Sequence, residues 1–349
     1  MIPNIKIGNF NLGSNFEPII VAEMSGNHNQ SLDKALKIVK EVAKTGAHAL
    51  KIQTYTADTI TIKRDREEFQ VKGSLWDGYN LYDLYKEAET PYEWHKYLFD
   101  YAKKIDITIF SSPFDFTAVD LLEKLEAPAY KIASPEINHI PLIKRVAQTG
   151  KPMIISTGMA NLKEIGEAVQ VARKNGCQDL VLLHCISSYP APVEQSNLRT
   201  IPDLAERFGI LSGLSDHTMG TTVATTSVAL GACVIEKHFT LSRNDKGPDS
   251  EFSLEPDELK RLCQDTKIAW QSLGVVDYNL KESEEIGYGS RRSLYAVQDI
   301  QQGEKFTKDN IRSIRPGLGL KPKYYEQILG KVAKCDIGYG TPLSLDIIL

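Results

Sequence analysis

GILSGLSDHTMGTTVATTSVALGACVIEKHF, residues 209–239, holds two short apolar runs, GILSGLS (209–215) and CVIEKHF (233–239), each closing on residues that can do chemistry. A run of four to eight apolar residues bounded by Gly, Pro, Asn or Ser reads as a buried strand. Working outward, the same unit recurs at PIIVAEM (18–24), HALKIQTY (48–55), ITIFSS (107–112), AYKIAS (129–134), PMIIST (152–157) and LVLLHC (180–185). Helical patterns separate them. Leu32, Leu36, Val39 and Ala43 form one stripe, with Ser31 placed to cap it and Gly46 to stop it. Ala118, Leu121, Leu122 and Leu125 form another, as do Leu259, Leu262, Ile268 and Ala269. Thr90-Pro91-Tyr92-Glu93 reads as a capping box with proline at the first helical position. Eight strands alternating with helices fit a (β/α)8 TIM barrel over residues 1–278. An open doubly wound sheet lacks its GxGxxG after the first strand.

The 349 residues carry 41 Lys and Arg against 45 Asp and Glu, a net charge of −4. That balance, without basic runs, argues against nucleic acid or an anionic membrane as partner. No stretch reaches the ~20 apolar residues of a membrane span, and the first residues lack a signal-peptide pattern, so the chain reads as cytoplasmic. Five cysteines without CxxC spacing read as reduced thiols. The polar segment 56–86 interrupts the alternation, either as a solvated loop or as part of the active-site face. Residues 279–291 read as a linker. Residues 292–349 read as a small domain of short strands and turns with little core of its own.

Polar residues cluster where strands end, at Glu23, Lys51, Gln53, Ser111, Ser112, Lys131, Ser134, Ser156, His184, Ser215 and Glu236. In a barrel these ends form the active-site mouth, so the pattern predicts an enzyme. His217 and His238 close neighbouring strands ~4.8 Å apart and suit a divalent metal with open positions for water and substrate. Lys51 and Lys131, among Ser134, Ser156 and Ser215, suit a phosphate or phosphate-carboxylate substrate. Ion pairing of these lysines with Glu23 and Glu236 is the structural alternative. A Schiff-base aldolase using Lys51 or Lys131, or a binding module on an inert barrel, are the rival functions.

In order along the chain, AEMSGNHNQSLDKA, ALKIQTYTADT, FSSPFD, YKIAS, ISTGMA, LLHCISSYPAP, GLSDHTMG, IEKHFT and GPDSEFS resemble the sialic acid synthase family. RRSLYA and RPGLGLKP resemble the antifreeze-like (SAF, β-clip) domain that follows its barrel. The resemblance implies condensation of phosphoenolpyruvate with an N-acetylated sugar, in a homodimer that exchanges its small domains. SGNHNQ, KIQTYTADT and SLWDGYNLYDLYKEA are most similar to the branch that forms pseudaminic acid, whereas members forming N-acetylneuraminate read GINHNG and KFQ. It makes His217 and His238 ligands of a divalent ion, manganese first, with magnesium or cobalt as alternatives. It makes Glu23 an active-site carboxylate, beside Lys51, Lys131 and Glu236 as the catalytic set. Gln53, Ser134, Ser156 and Ser215 join the lysines on phosphoenolpyruvate, and Tyr189 and Asp249 lie near the sugar. Arg315 reaches an acetamido group from the other subunit. Ser187 stands where neuraminate-type members carry Asn, so a substrate contact there falls to the shorter hydroxyl.

Overall fold

The computed structural model describes residues 2–349, in two units, Met1–Gly274 and Val275–Leu349. The first unit opens with an antiparallel hairpin of β1 (Ile5–Ile7) and β2 (Phe10–Leu12). Then come β3 (Ile19–Glu23), β4 (Ala49–Thr54), β5 (Thr108–Pro113), β6 (Tyr130–Ile132), β7 (Met153–Ser156), β8 (Leu180–Cys185), β9 (Leu211–Asp216) and β10 (Val234–His238). These eight pair in parallel in chain order, and β10 pairs back onto β3, closing the TIM barrel. Each lies within one of the apolar runs read from the sequence, except that β5 and β9 each run one residue beyond.

Period-two alternation decides what faces the barrel axis. Ile19 and Val21, Ala49, Phe110, Ala129, Ile154, Val181 and Leu183, Leu211 and Val234 point inward and pack on Ile5, Ile7 and Leu12 of the hairpin. The hairpin, which has no alternation long enough to read in the sequence, therefore plugs the N-terminal end. Residues of opposite parity, such as Ile20, Leu50, Ile109, Tyr130, Ile155, Leu182 and Ile235, pack on the helices. Continuing the inward parity up each strand replaces apolar side chains by polar ones, and that switch creates the mouth.

Ser31 caps the helix Leu32–Thr45 by accepting from the Lys34 amide, worth about 1 kcal/mol, and Gly46 ends it at φ 89°. The box at Thr90 does not form. The helix that follows Thr90 is Tyr92–Lys104, with Pro91 at its cap and no side-chain cap bond. The Thr90 hydroxyl instead meets His28 Nε2 at 3.3 Å, a tertiary partner the local pattern cannot reveal. Ile268, placed in a buried stripe above, is 62% exposed. Between β4 and Tyr92 lie short helices at Ala57–Ile60 and Leu81–Ala88, with an exposed stretch between them that includes the charges Arg64 to Glu68.

In the second unit β11 (Ser293–Ala296) and β12 (Ile311–Ile314) pair antiparallel. Leu294, Ala296, Ile300, Phe306, Ile311, Ile328, Ala333, Ile337 and Leu343 give this unit a buried core of its own. The segment read as a linker holds an exposed helix, Glu282–Tyr288, whose first turn is acidic. Arg315 follows β12 and is exposed. The turn after it is held by the Ser293 hydroxyl, which donates to the Pro316 carbonyl at 2.7 Å and accepts from the Gly319 amide at 2.9 Å. A Cβ at Gly319 would sit 2.4 Å from the Leu294 carbonyl, so only glycine fits there.

Candidate active site

The upper inward positions bring Glu23, Lys51, Gln53, Ser112, Lys131, Ser156, Cys185, Ser215, Glu236 and the two histidines to one end of the barrel. Lys51 Nζ is 2.7 Å from Glu23 Oε2 and 3.6 Å from Glu236 Oε1. Lys131 Nζ is 3.2 Å from Glu236 Oε1, and these side chains are at most 5% exposed. The lysines are thus ion-paired with Glu23 and Glu236, the alternative set out above, in a buried square of two cations and two anions. Burial pushes Glu23 up against the pull of Lys51. Burial also pushes Glu236 upward, but Lys131 and Lys51 outweigh it and hold it below the usual carboxylate range. Lys131 is lowered by burial, which Glu236 only partly offsets. Lys51 is held above its usual value because Glu23 and Glu236 overcome burial.

Besides Glu23 Oε2, which faces the Lys51 ammonium, four buried atoms in this mouth and beside it have no hydrogen-bond partner among the described residues: Glu236 Oε2, Ser156 Oγ, His238 Nδ1 and Glu136 Oε2. Unpaired buried polar atoms are costly, so such a concentration fits a site completed by a polar ligand. Gly158 adds a cradle. A Cβ there would lie 2.3 Å from Ser187 Oγ, 2.8 Å from Ser134 Oγ and 3.2 Å from Cys185 Sγ. Its amide donates to Ser134 Oγ at 3.1 Å. Hydroxyls and an amide beside a buried ammonium suit an oxyanion. Ser187 therefore lines this cradle. Ser111 does not belong to the site. Its parity turns it to the helix layer, where its hydroxyl lies 2.6 Å from Thr54 Oγ1 and donates to the Ile52 carbonyl. Ser112 is the inward serine and accepts from Lys51 Nζ at 3.2 Å. His184 likewise faces outward, 2.6 Å from the Ser196 carbonyl.

On the other side of the mouth, Gln53 donates to Glu23 Oε1 at 3.0 Å and to Ser25 Oγ at 3.2 Å. Ser25 in turn donates to Asp249, whose carboxyl burial pushes up. SGNHNQ (25–30) is largely scaffold. Asn27 donates to the Phe239 carbonyl and to Ser253 at 2.9 Å each, tying the loop after β3 to the loop after β10. Tyr189 lies tilted, 4.4 Å from His217 and 5.2 Å from Phe252, while Phe252 lies 4.9 Å from His238. Trp76 reaches this wall from the segment after β4. Its indole donates to the Pro248 carbonyl at 2.7 Å and its ring is 5.5 Å from Tyr189. That segment therefore lies on the active-site face through Trp76, while its charged stretch stays in solvent. A cleft of about 450 Å³ bounded by Trp76, Tyr79, Arg243 and Lys246 adjoins the mouth.

The imidazoles of His217 and His238 are 5.3 Å apart, centroid to centroid. His217 Nδ1 is 2.9 Å from the Ile186 carbonyl, a donation that leaves Nε2 its lone pair. With the orphaned His238 nitrogen beside it, the pair fits a divalent ion. Among the described residues no cluster of three or more His, Cys, Asp or Glu is arranged for a metal, so water and substrate would fill the remaining positions. Burial pushes His217 down, but the Cys185 thiolate, the Ile186 carbonyl and Glu236 together hold it above its usual value. Burial pushes Cys185 up, but His217, Ser134 and Lys131 together bring it to about 7.

The sequence pattern marks neither Glu136 nor Phe252 as site-forming, and offers Trp76 only as part of the segment 56–86. Glu136 sits in the turn Ser134–Asn138 after β6, and burial lifts its carboxyl to about 7. Its sequence signal was its place two residues beyond Ser134.

The NeuB family pattern matches residues 38–278 and the SAF domain pattern matches 291–348. The chain is 44% identical over 340 residues to a pseudaminic acid synthase of Campylobacter jejuni, covering 97% of this chain and 98% of that one. It is 41% identical to an N,N'-diacetyllegionaminic acid synthase of the same species, covering 90% of this chain and 95% of that one. A crystal structure of N-acetylneuraminic acid synthetase from Leptospira borgpetersenii, in complex with citrate, superposes with a TM-score of 0.73 at 33% identity, covering 82% and 96%.

Proposed function

Because the chain belongs to the NeuB family, we propose that it condenses phosphoenolpyruvate with 2,4-diacetamido-2,4,6-trideoxy-L-altrose and water, giving pseudaminic acid and phosphate. The observation that carries the chemistry is the buried ring of Lys51 and Lys131 with unpaired Ser156 and Glu236 atoms around it. The choice of sugar rests on the full-length likeness to the pseudaminic acid synthase.

Lys51 and Lys131 release part of their pairing with Glu23 and Glu236 to take the phosphate and carboxylate of phosphoenolpyruvate. Ser112, Ser134, Ser156 and Ser215 supply hydroxyls, and Ser187 the floor of the cradle. Held there, the methylene carbon bonds to the sugar aldehyde carbon, and water adds at C2 of phosphoenolpyruvate. The tetrahedral adduct then breaks the bond from C2 to the bridging oxygen, so phosphate departs with that oxygen while the C2 hydroxyl becomes the ketone and gives its proton back to Glu136. Glu23 takes the proton of the attacking water, because a carboxyl raised by burial is a better base, and passes it to the former aldehyde oxygen, which becomes a hydroxyl. Glu136, half-protonated near pH 7, returns a proton at its unpaired Oε2 to the leaving phosphate. Tyr189, Asp249 and Gln53 orient the sugar, and Trp76 and Phe252 exclude water from it. His217 and His238 would hold a divalent ion such as manganese, which would supply Lewis-acid polarisation of a carbonyl oxygen. By resemblance, Arg315 of a second copy serves an acetamido group.

Phosphate release from phosphoenolpyruvate across a panel of N-acetylated sugars tests the reading. The altrose derivative should give the highest kcat/KM. The second reading, legionaminate synthesis with the same chemistry, is favoured by the 41% relative, and a preference for that enzyme's acceptor would select it. A borohydride-trapped pyruvate adduct without phosphate release would replace both by an aldolase.

A further inference from the structure

Lys237 and Asp216 take no part in the mouth, yet each side chain is only 1% exposed. They are register partners on β10 and β9 with outward parity, so they lie among the apolar residues between barrel and helices. Lys237 Nζ is 2.9 Å from Asp216 Oδ2 and also donates to the Thr218 carbonyl. Asp216 Oδ1 accepts from the Thr218 amide at 2.9 Å. One ammonium therefore grips both residues that flank His217, and it belongs to the residue that precedes His238. A buried ion pair adds little net stability, because desolvation offsets its attraction. What such a pair does well is hold one geometry. Here that geometry is the chain path through His217, whose ring is fixed separately by the Ile186 carbonyl.

We propose that the Lys237–Asp216 pair is a positioning device that sets the spacing of His217 and His238 from outside the barrel, and with it their affinity for a divalent cation. The inference rests on reading those histidines as ligands. Its test is calorimetric titration of Mn²⁺ into the natural chain, into His217→Ala, and into the double variant Lys237→Met with Asp216→Asn. The double variant removes both charges together, leaving no buried charge uncompensated, and keeps an acceptor for the Thr218 amide. Its melting temperature in chelator should stay close to that of the natural chain, while Mn²⁺ binds about ten-fold or more weakly. Unchanged Mn²⁺ affinity overturns the inference. So does a double variant that is unfolded in chelator, since the pair would then act on stability. A natural chain that binds Mn²⁺ no better than His217→Ala overturns instead the reading of the histidines themselves.

Discussion

At Glu136 the carboxyl loses its proton as pH rises through about 7, so an acid role requires kcat to fall above that value. Glu136→Gln should lower kcat on the order of 10²-fold or more and remove that limb from the pH profile of kcat. A profile unchanged in shape would make Glu136 a spectator. Gly158 is the second residue at which geometry speaks directly. An added methyl group would displace the hydroxyls of Ser187 and Ser134, both ends of short side chains that can rotate away. Gly158→Ala should therefore fold, with the KM for phosphoenolpyruvate raised roughly ten-fold, a loss of about 1.4 kcal/mol of binding. A rise confined to the KM of the sugar would move phosphoenolpyruvate out of the cradle. Neither residue stood out by type. Their roles come from burial and close approach, which depend on turns after separate strands.

The elements were legible wherever one period ruled them. The barrel strands could be read because each is a short apolar run between turn residues, and the helix Leu32–Thr45 because Ser31 and Gly46 bracket it. Facing was harder to read. Ser111 and Ser112 are neighbours, and only the register of β5 sends one outward and the other to Lys51. The Thr90 box failed because a buried histidine from another loop took its hydroxyl. That layer of buried histidines has a consequence at this scale. Burial lowers His28 and His95 to about 4 each, below the ordinary value of 6.5. Between those values the unfolded chain takes up protons that the folded one refuses, so stability present above pH ~6.5 is lost as pH falls toward 4. The effect of both together is on the order of a few kcal/mol. The melting temperature should drop between pH 7 and pH 5, and drop less in His95→Gln. An equal drop in that variant would assign the acid limb to other groups.

For the whole molecule, the family likeness spans both units, and the proposal that Arg315 serves a second copy's barrel can be checked with mixed subunits. Mixing Arg315→Ala subunits with His217→Ala subunits should then restore part of the activity, because one site of each mixed dimer has an intact barrel and an intact arginine. Verified subunit exchange without recovered activity would mean that Arg315 acts on its own barrel or not at all. No helix among the described residues is long and apolar enough to cross a membrane. The most direct measurement uses phosphoenolpyruvate labelled with ¹⁸O at the bridging oxygen, with 2,4-diacetamido-2,4,6-trideoxy-L-altrose as acceptor. The account predicts sugar-dependent release of phosphate carrying the label, with pseudaminic acid formed in equal amount and unlabelled from that oxygen. Label retained in the sugar acid, or phosphate released without the sugar, would contradict it.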